Sequence, residues 1–186
     1  MTRSLARPIR ASYWAEPDHF LAGEYPGAKD EAVARKKVRA LLEAGVTFFL
    51  DLTEEGESGL LPYEGLLQEE AIAIGRGVEH RRTSIQDLST PTVTRMRRIL
   101  DTIDDALQRG HTVYVHCWGG IGRTGTVVGC YLIRQGLSGD ASLKRIQELL
   151  QNTPKRGRAS PETLEQRRMI LDWHREEGWK RRLLVD

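Results

Sequence analysis

Cys117 and Arg123 stand at the two ends of a glycine-rich stretch, Cys117-Trp118-Gly119-Gly120-Ile121-Gly122-Arg123, and Thr124 follows directly. The run before it, Thr112-Val113-Tyr114-Val115-His116, is β-branched and apolar, which predicts a buried strand. A helix is expected from about Arg123 to Gln135, stopped by Gly136. A loop wrapped before a helix N-terminus points backbone N–H groups inward, and with the helix dipole these make an anion site. Gly119, Gly120 and Gly122 remove the Cβ atoms that would obstruct so tight a curve. Arg123 adds a planar fork matched to two oxygens of a phosphate. A thiol near a helix N-terminus and a guanidinium is of the kind that ionises near neutral pH. Cys117 is then a nucleophile beneath a phosphoryl group, and the Thr124 hydroxyl is placed to hydrogen-bond the sulfur and ease its departure. The arginine holds the phosphate and the cysteine attacks it.

Alternating strand-like and helix-like segments must position that loop. Asp30 caps a predicted helix through Ala44, ended by Gly45. Residues 46–52, "VTFFLDL", read as a second buried strand. A polar loop, a helix over 63–76 and a weaker strand over 78–85 follow. Thr90 caps the next predicted helix, with Pro91 at its first position and Val93, Met96, Ile99, Leu100, Ile103 and Leu107 on its inner face. Two further helices are expected, Asp140 to about Gln151 and Pro161 to about Glu176 with Ser160 as cap, joined by the basic loop "NTPKRGRASP". This order predicts an α/β fold, with a mainly parallel sheet of about four to five strands flanked by helices. Ligands in such sheets bind at the carboxyl ends of the strands, and the Cys117 loop follows one of those ends.

The 186 residues suit one compact domain. Twenty-eight Lys and Arg against 26 Asp and Glu give a net charge of +2, which argues against a general nucleic-acid binder. The N-terminal stretch has no apolar core of a signal peptide, and no apolar run approaches a membrane span. Two cysteines do not make a disulfide framework. The expectation is a soluble, cytoplasmic protein without membrane insertion.

The pattern His-Cys-x5-Arg-Thr resembles the signature of the cysteine-based protein tyrosine phosphatase superfamily. The pattern H-C-x-x-G-x-x-R-[ST]-G occurs by chance on the order of once per 10⁸ positions. The resemblance implies that backbone N–H groups from Trp118 to Arg123 hold the phosphate. It implies that His116 holds the loop through hydrogen bonds rather than acting as a base. It also implies a general acid on a separate loop. Asp87, 30 residues before Cys117 in "SIQDLSTP", resembles the acid of the dual-specificity phosphatases in spacing and position, with Asp51 as competitor. "SPETLEQRRMI" resembles the glutamine-containing loop that positions the hydrolytic water in some branches, which selects Gln166. The likeness covers residues 13 to about 176, leaving an N-terminal extension, 1–12, and a basic tail, 177–186. The chain is too short for the larger tyrosine-specific receptor-type domain and shows no phosphotyrosine-clamping loop.

The resemblance implies a phosphorylated protein or peptide substrate and no metal or organic cofactor. The same chemistry on a phosphoinositide, inositol phosphate or RNA 5′-phosphate is the nearest alternative, although polyphosphorylated substrates favour extra cations and the loop from Trp118 to Gly122 has none. A non-catalytic phospho-binding module is expected to lose Cys117, Arg123 or the acid, and all three are present. Trp118 departs from the smaller or polar residue often found there, and is expected to pack against a neighbouring loop. Cys130 reads as a buried apolar residue rather than a redox partner. His19, His80, His111 and His174 share no metal-ligand spacing.

Overall fold

A computed structural model describes residues 6–183, with side chains through residue 176. Five strands alternate with six helices: β1 (Ser12–Glu16), β2 (Phe20–Gly23), α1 (Glu31–Glu43), β3 (Val46–Asp51), α2 (Glu64–Ala73), β4 (Glu79–Arg82), α3 (Val93–Gln108), β5 (Thr112–His116), α4 (Gly122–Arg134), α5 (Gly139–Leu150) and α6 (Leu164–Leu183). The sheet order is β1-β2-β5-β3-β4. β2, β5, β3 and β4 run parallel, and β1 pairs antiparallel with β2. The α/β expectation is met, and the sheet has the upper of the two expected strand counts.

Apolar side chains on one sheet face, among them Phe48, Val113 and Val115, pack with Met96, Ile103, Val127 and Ile170 from the later helices. On the other face Phe49, Leu21 and Tyr114 pack with Val38, Leu41 and Leu67 of α1 and α2. Both faces of β3 and β5 are therefore buried, which is why these strands read as continuous apolar runs. The parallel strands end at one edge. There Leu52 N donates to His116 O (2.9 Å) and Ile85 N to Leu52 O (2.9 Å), tying the segments after β3, β4 and β5 together.

Two helix caps differ from the expected residues. Thr92, not Thr90, caps α3, its Oγ1 accepting from Arg95 N. Ser138 caps α5. Ser160 does not cap α6: Thr163 Oγ1 accepts from Gln166 N, and Ser160 Oγ donates instead to Ile121 O at 2.8 Å. In each case several small hydroxyl or acidic residues compete within a few positions. Tertiary packing chooses among them, a choice local propensity does not resolve. The α6 backbone also continues past Glu176, into the stretch assigned to the tail.

Candidate active site

Cys117 follows β5 directly, buried on the floor of a cleft of about 330 Å³. The loop then curls into α4, whose helix begins at Gly122. Gly120 has φ +73°, and a Cβ there would lie 2.5 Å from the Gly23 carbonyl carbon. The turn therefore needs glycine twice over, for its backbone angle and for its contact with the end of β2. Tyr25 N donates to Trp118 O at 3.0 Å, fastening the loop from the same side.

Arg123 is the second residue of α4 and is 1% exposed. Glu57, in the loop after β3, grips it from one edge: Nη1–Oε2 is 2.5 Å and Nη2–Oε1 is 2.6 Å. Nη1 also donates to Ile85 O at 3.0 Å. Burial works against the guanidinium's charge, but Glu57, Cys117 and Asp87 outweigh it and raise its affinity for the proton. Burial likewise opposes the Glu57 charge, and Arg123 holds that carboxyl below its ordinary value. Arg123 Nε is buried with no hydrogen-bond partner. Nε is thus unpartnered and the second N–H of Nη2 meets only Asp87, so the Nε/Nη2 edge is open to two oxygens of one anion while Glu57 and Ile85 O hold the other donors.

Asp87 lies at the mouth. Its carboxyl is half exposed, lines the same cleft as Cys117, and approaches Arg123 Nη2 at 3.1 Å. Asp51 is placed differently. It is fully buried, with Oδ1 accepting from Thr53 N (2.8 Å) and Thr53 Oγ1 (2.6 Å), and Oδ2 facing Arg82 (3.2 Å). Burial pushes its carboxyl up, but His80, His116 and Thr53 overcome this and hold it well below the usual carboxylate range. A carboxyl so occupied has no proton to give.

A family model described as "Tc-R-P: Polymorphic toxin system, DSP-PTPase phosphatase" matches residues 24–137. The chain belongs to this phosphatase family. It is 30% identical over 118 residues to a putative tyrosine phosphatase, 067L, of Invertebrate iridescent virus 3, covering 62% of this chain and 42% of that one. Over 127 residues it is 27% identical to the dual specificity protein phosphatase CDC14C of Homo sapiens, covering 65% and 26%. The chain thus spans less than half the length of these curated relatives. Among solved structures it resembles PTPMT1, with a TM-score of 0.71 at 22% identity over 92% of this chain and 99% of that one. Tk-PTP in the active form gives 0.67 at 23% identity, over 89% and 97%. These two likenesses show the fold.

Within this DSP-PTPase framework the remaining residues fall into supporting places. His116 is fully buried, with Nε2 2.7 Å from Tyr63 Oη and Nδ1 3.3 Å from Cys117 O. A neutral ring satisfies both contacts if Nδ1–H donates to the carbonyl and Tyr63 O–H donates to Nε2. Burial pushes the imidazole down from 6.5 to about 4, against the pull of Asp51. An unfolded chain therefore takes up a proton near pH 6.5 while the folded chain resists until about 4. Stability is fully present above 6.5 and is lost as pH falls towards 4, by an amount of the order of 3 kcal/mol. Urea unfolding at stepped pH checks this: His116→Asn should flatten the slope in that window, and an unchanged slope would remove His116 as its source.

Thr124 Oγ1 is buried and has no partner, so the expected hydrogen bond to the sulfur is not made in this structure. Gln166 is fully buried; its Oε1 accepts from Glu162 N and Thr163 N, both at 3.1 Å, and its Nε2 donates to Ser89 O at 3.1 Å. It braces the Asp87 loop against the start of α6. Trp118 does not pack away as expected: it is 59% exposed and lines the cleft with Leu88. Its backbone carbonyl is held, but its ring stands at the rim. Cys130 is fully buried in α4, in the apolar core. Among the described residues, no cluster of three or more His, Cys, Asp or Glu could hold a metal, and no helix is long and apolar enough to cross a membrane.

Two residues escaped the sequence reading. Glu57 is one of three glutamates in a polar loop, with Glu54 and Glu55, and nothing in their order says which one reaches Arg123. Tyr63 looked like the start of a helix. Their only available signal is position: both follow β3 on the edge where β5 delivers Cys117.

Proposed function

We propose that this chain hydrolyses phosphomonoesters of proteins, phosphotyrosine and also phosphoserine or phosphothreonine, through a phosphocysteine intermediate. The observation that carries the reading is the Cys117 cradle with Arg123 locked by Glu57 on one edge and unpartnered at Nε. Cys117 Sγ attacks phosphorus in line. The S–P bond forms, the P–O bond to the leaving group breaks, and the departing oxygen takes the proton of Asp87. Arg123 and the backbone N–H groups of residues 118–123 hold the equatorial oxygens, where charge is greatest in the transition state. Asp87 then accepts a proton from water as the water oxygen bonds phosphorus. The S–P bond breaks and inorganic phosphate leaves. An entering phosphate competes for the Arg123 edge that Asp87 touches, which frees the carboxyl for the leaving oxygen. Thr124 Oγ1 gains a partner once the sulfur carries charge. Gln166 serves by fixing the Asp87 loop and the segment from which water approaches. No metal or organic cofactor takes part.

Trp118 at the rim offers a surface to the phosphotyrosine ring, so phosphotyrosine is the better substrate. The cytoplasm, where phosphoproteins are abundant, is the expected site of action. The family's description makes service as a module of a polymorphic toxin system part of the same proposal.

The test is release of inorganic phosphate from phosphotyrosine peptides and from an activated aryl phosphate. General acid catalysis is worth ~10²–10⁴ in rate, and only a leaving oxygen that needs a proton benefits. Asp87→Ala should slow the peptides by about that factor and the activated ester much less. Equal slowing of both substrates would move the acid elsewhere.

A further inference from the structure

We propose that the cavity between the N-terminal arm and α5 is a binding site for a nucleoside phosphate, with Arg7 and Arg10 holding the phosphates and Trp14 the base. The cavity measures about 820 Å³ and shares no lining residue with the catalytic cleft. It is therefore a site apart from Cys117, and it does not depend on the phosphatase chemistry.

The arm, residues 6–11, precedes the edge strand β1 and is fastened to the sheet. Ser12 donates to Ile9 O through both Oγ (2.8 Å) and N (3.2 Å), and Glu24 N donates to Ala11 O at 3.1 Å. Ile9 is buried in the core on the α1 face of the sheet, and Tyr13 in the core on the other face. The chain thus straddles the sheet edge, and little ordering remains when a ligand arrives. Arg7 Nη1 donates to Arg10 O at 3.0 Å, and Trp14 Nε1 to Ala6 O at 3.4 Å. Across the cavity α5 contributes Arg145, and Asn152 follows the helix. Tyr13 lines the cavity as well, and its hydroxyl is buried with no hydrogen-bond partner. The wall therefore holds hydrogen-bonding capacity that the fold does not use.

Charge selects an anion. Residues 1–15 contain three arginines and no acid, whereas acidic residues outnumber basic ones in the rest of the chain. Arg7 and Arg10 make no ion pair among the described residues. Arg145 shares Glu148 at 3.4 Å, and Glu148 is the one acid among the described residues that line the cavity. Guanidinium forks match phosphate oxygens in pairs, and an indole face stacks on a nucleobase. A nucleoside phosphate uses both features and fits a cavity of small-molecule size. An acidic peptide would use the cations and leave Trp14 idle. A lipid surface would need exposed apolar side chains to enter it, and none of the large apolar residues exposed in this structure lines the cavity.

The experiment is calorimetric titration of the full chain with ATP, tripolyphosphate and adenosine, with orthovanadate saturating the Cys117 cradle so that no phosphate enters it. ATP should bind one to one in the micromolar range. Adenosine and tripolyphosphate should each bind about tenfold more weakly, since each keeps only one of the two contacts. The doubly substituted Arg7→Ala, Arg10→Ala protein should lose about tenfold in ATP affinity and much of its salt dependence. Its thermal midpoint and its aryl phosphate turnover should be unchanged, which separates lost recognition from a folding defect. Trp14→Leu should weaken ATP and leave tripolyphosphate unaffected. Absence of ATP binding at millimolar concentration overturns the site. So does ATP binding that the double variant leaves unchanged, or that is seen only without vanadate, because the nucleotide then sits elsewhere. Tripolyphosphate binding as tightly as ATP, with no effect of Trp14→Leu, overturns the nucleoside part of the ligand. Tighter binding of a glutamate-rich peptide or of phosphatidylserine vesicles, lost in the double variant, overturns the nucleotide as occupant.

Discussion

Cys117→Ser should abolish turnover of every phosphomonoester, by several orders of magnitude, and still bind phosphate or vanadate. Serine is close to isosteric with cysteine, and the proposed cradle consists of backbone N–H groups and Arg123. Neither Gly120, wedged on Gly23, nor Arg123, gripped by Glu57, depends on the sulfur. Hydroxyl is a far weaker nucleophile than thiolate near neutral pH. Near-normal kcat in the variant would remove Cys117 from the mechanism. Loss of vanadate binding together with activity would instead mean that the loop had collapsed.

Arg123→Lys should cost nearly as much, and in kcat rather than KM. Lysine keeps the positive charge and loses the planar fork. In this structure the fork has two jobs at once, since Nη1 and Nη2 face Glu57 while Nε stays unpartnered for the substrate. A single ammonium group cannot do both. The clamp matters most when charge develops on the equatorial oxygens, so its loss falls on the transition state. The expected fall is about 10²–10³ in kcat, the size seen when one preorganised donor at a developing oxyanion is removed. Glu57→Ala leaves the arginine in place but lets it swing, and a smaller loss of kcat should follow. A rise in KM alone for Arg123→Lys would mean that the arginine only attracts substrate.

The contiguous part of the site was legible in the sequence because strand, loop and helix follow one another. Strand β5 places Cys117, the glycines permit the curve, and Arg123 arrives within one turn of α4. Spacing and resemblance select Asp87, not any local feature, and the structure puts it at the cleft mouth 3.1 Å from Arg123 Nη2. Glu57 and Tyr63 were not found. Their roles depend on the sheet order β5-β3-β4, which brings the loop after β3 over a residue 66 positions away in the chain. Trp118 was misjudged because an apolar residue is expected to bury itself, whereas the cleft rim leaves its ring uncovered. The caps at Thr90 and Ser160 failed for a simpler reason. Each has a competing hydroxyl two or three residues on, and for Ser160 the carbonyl of Ile121 was the stronger claimant.

That last hydrogen bond bears on how this catalytic unit could be cut or recombined. Cys117, Arg123, Asp87, Glu57 and Tyr63 all lie within residues 24–137, the stretch the family model matches. Yet the cradle is held from beyond that boundary by Ser160, and the Asp87 loop by Gln166. A fragment ending near residue 137 would contain every group proposed to react and lose the two braces, from Ser160 and Gln166, that tie the loop and the Asp87 segment in place. The stretch the family model matches is therefore shorter than the stretch that braces the proposed site, and a shuffled gene that carried only the first would encode the parts without the frame that aligns them.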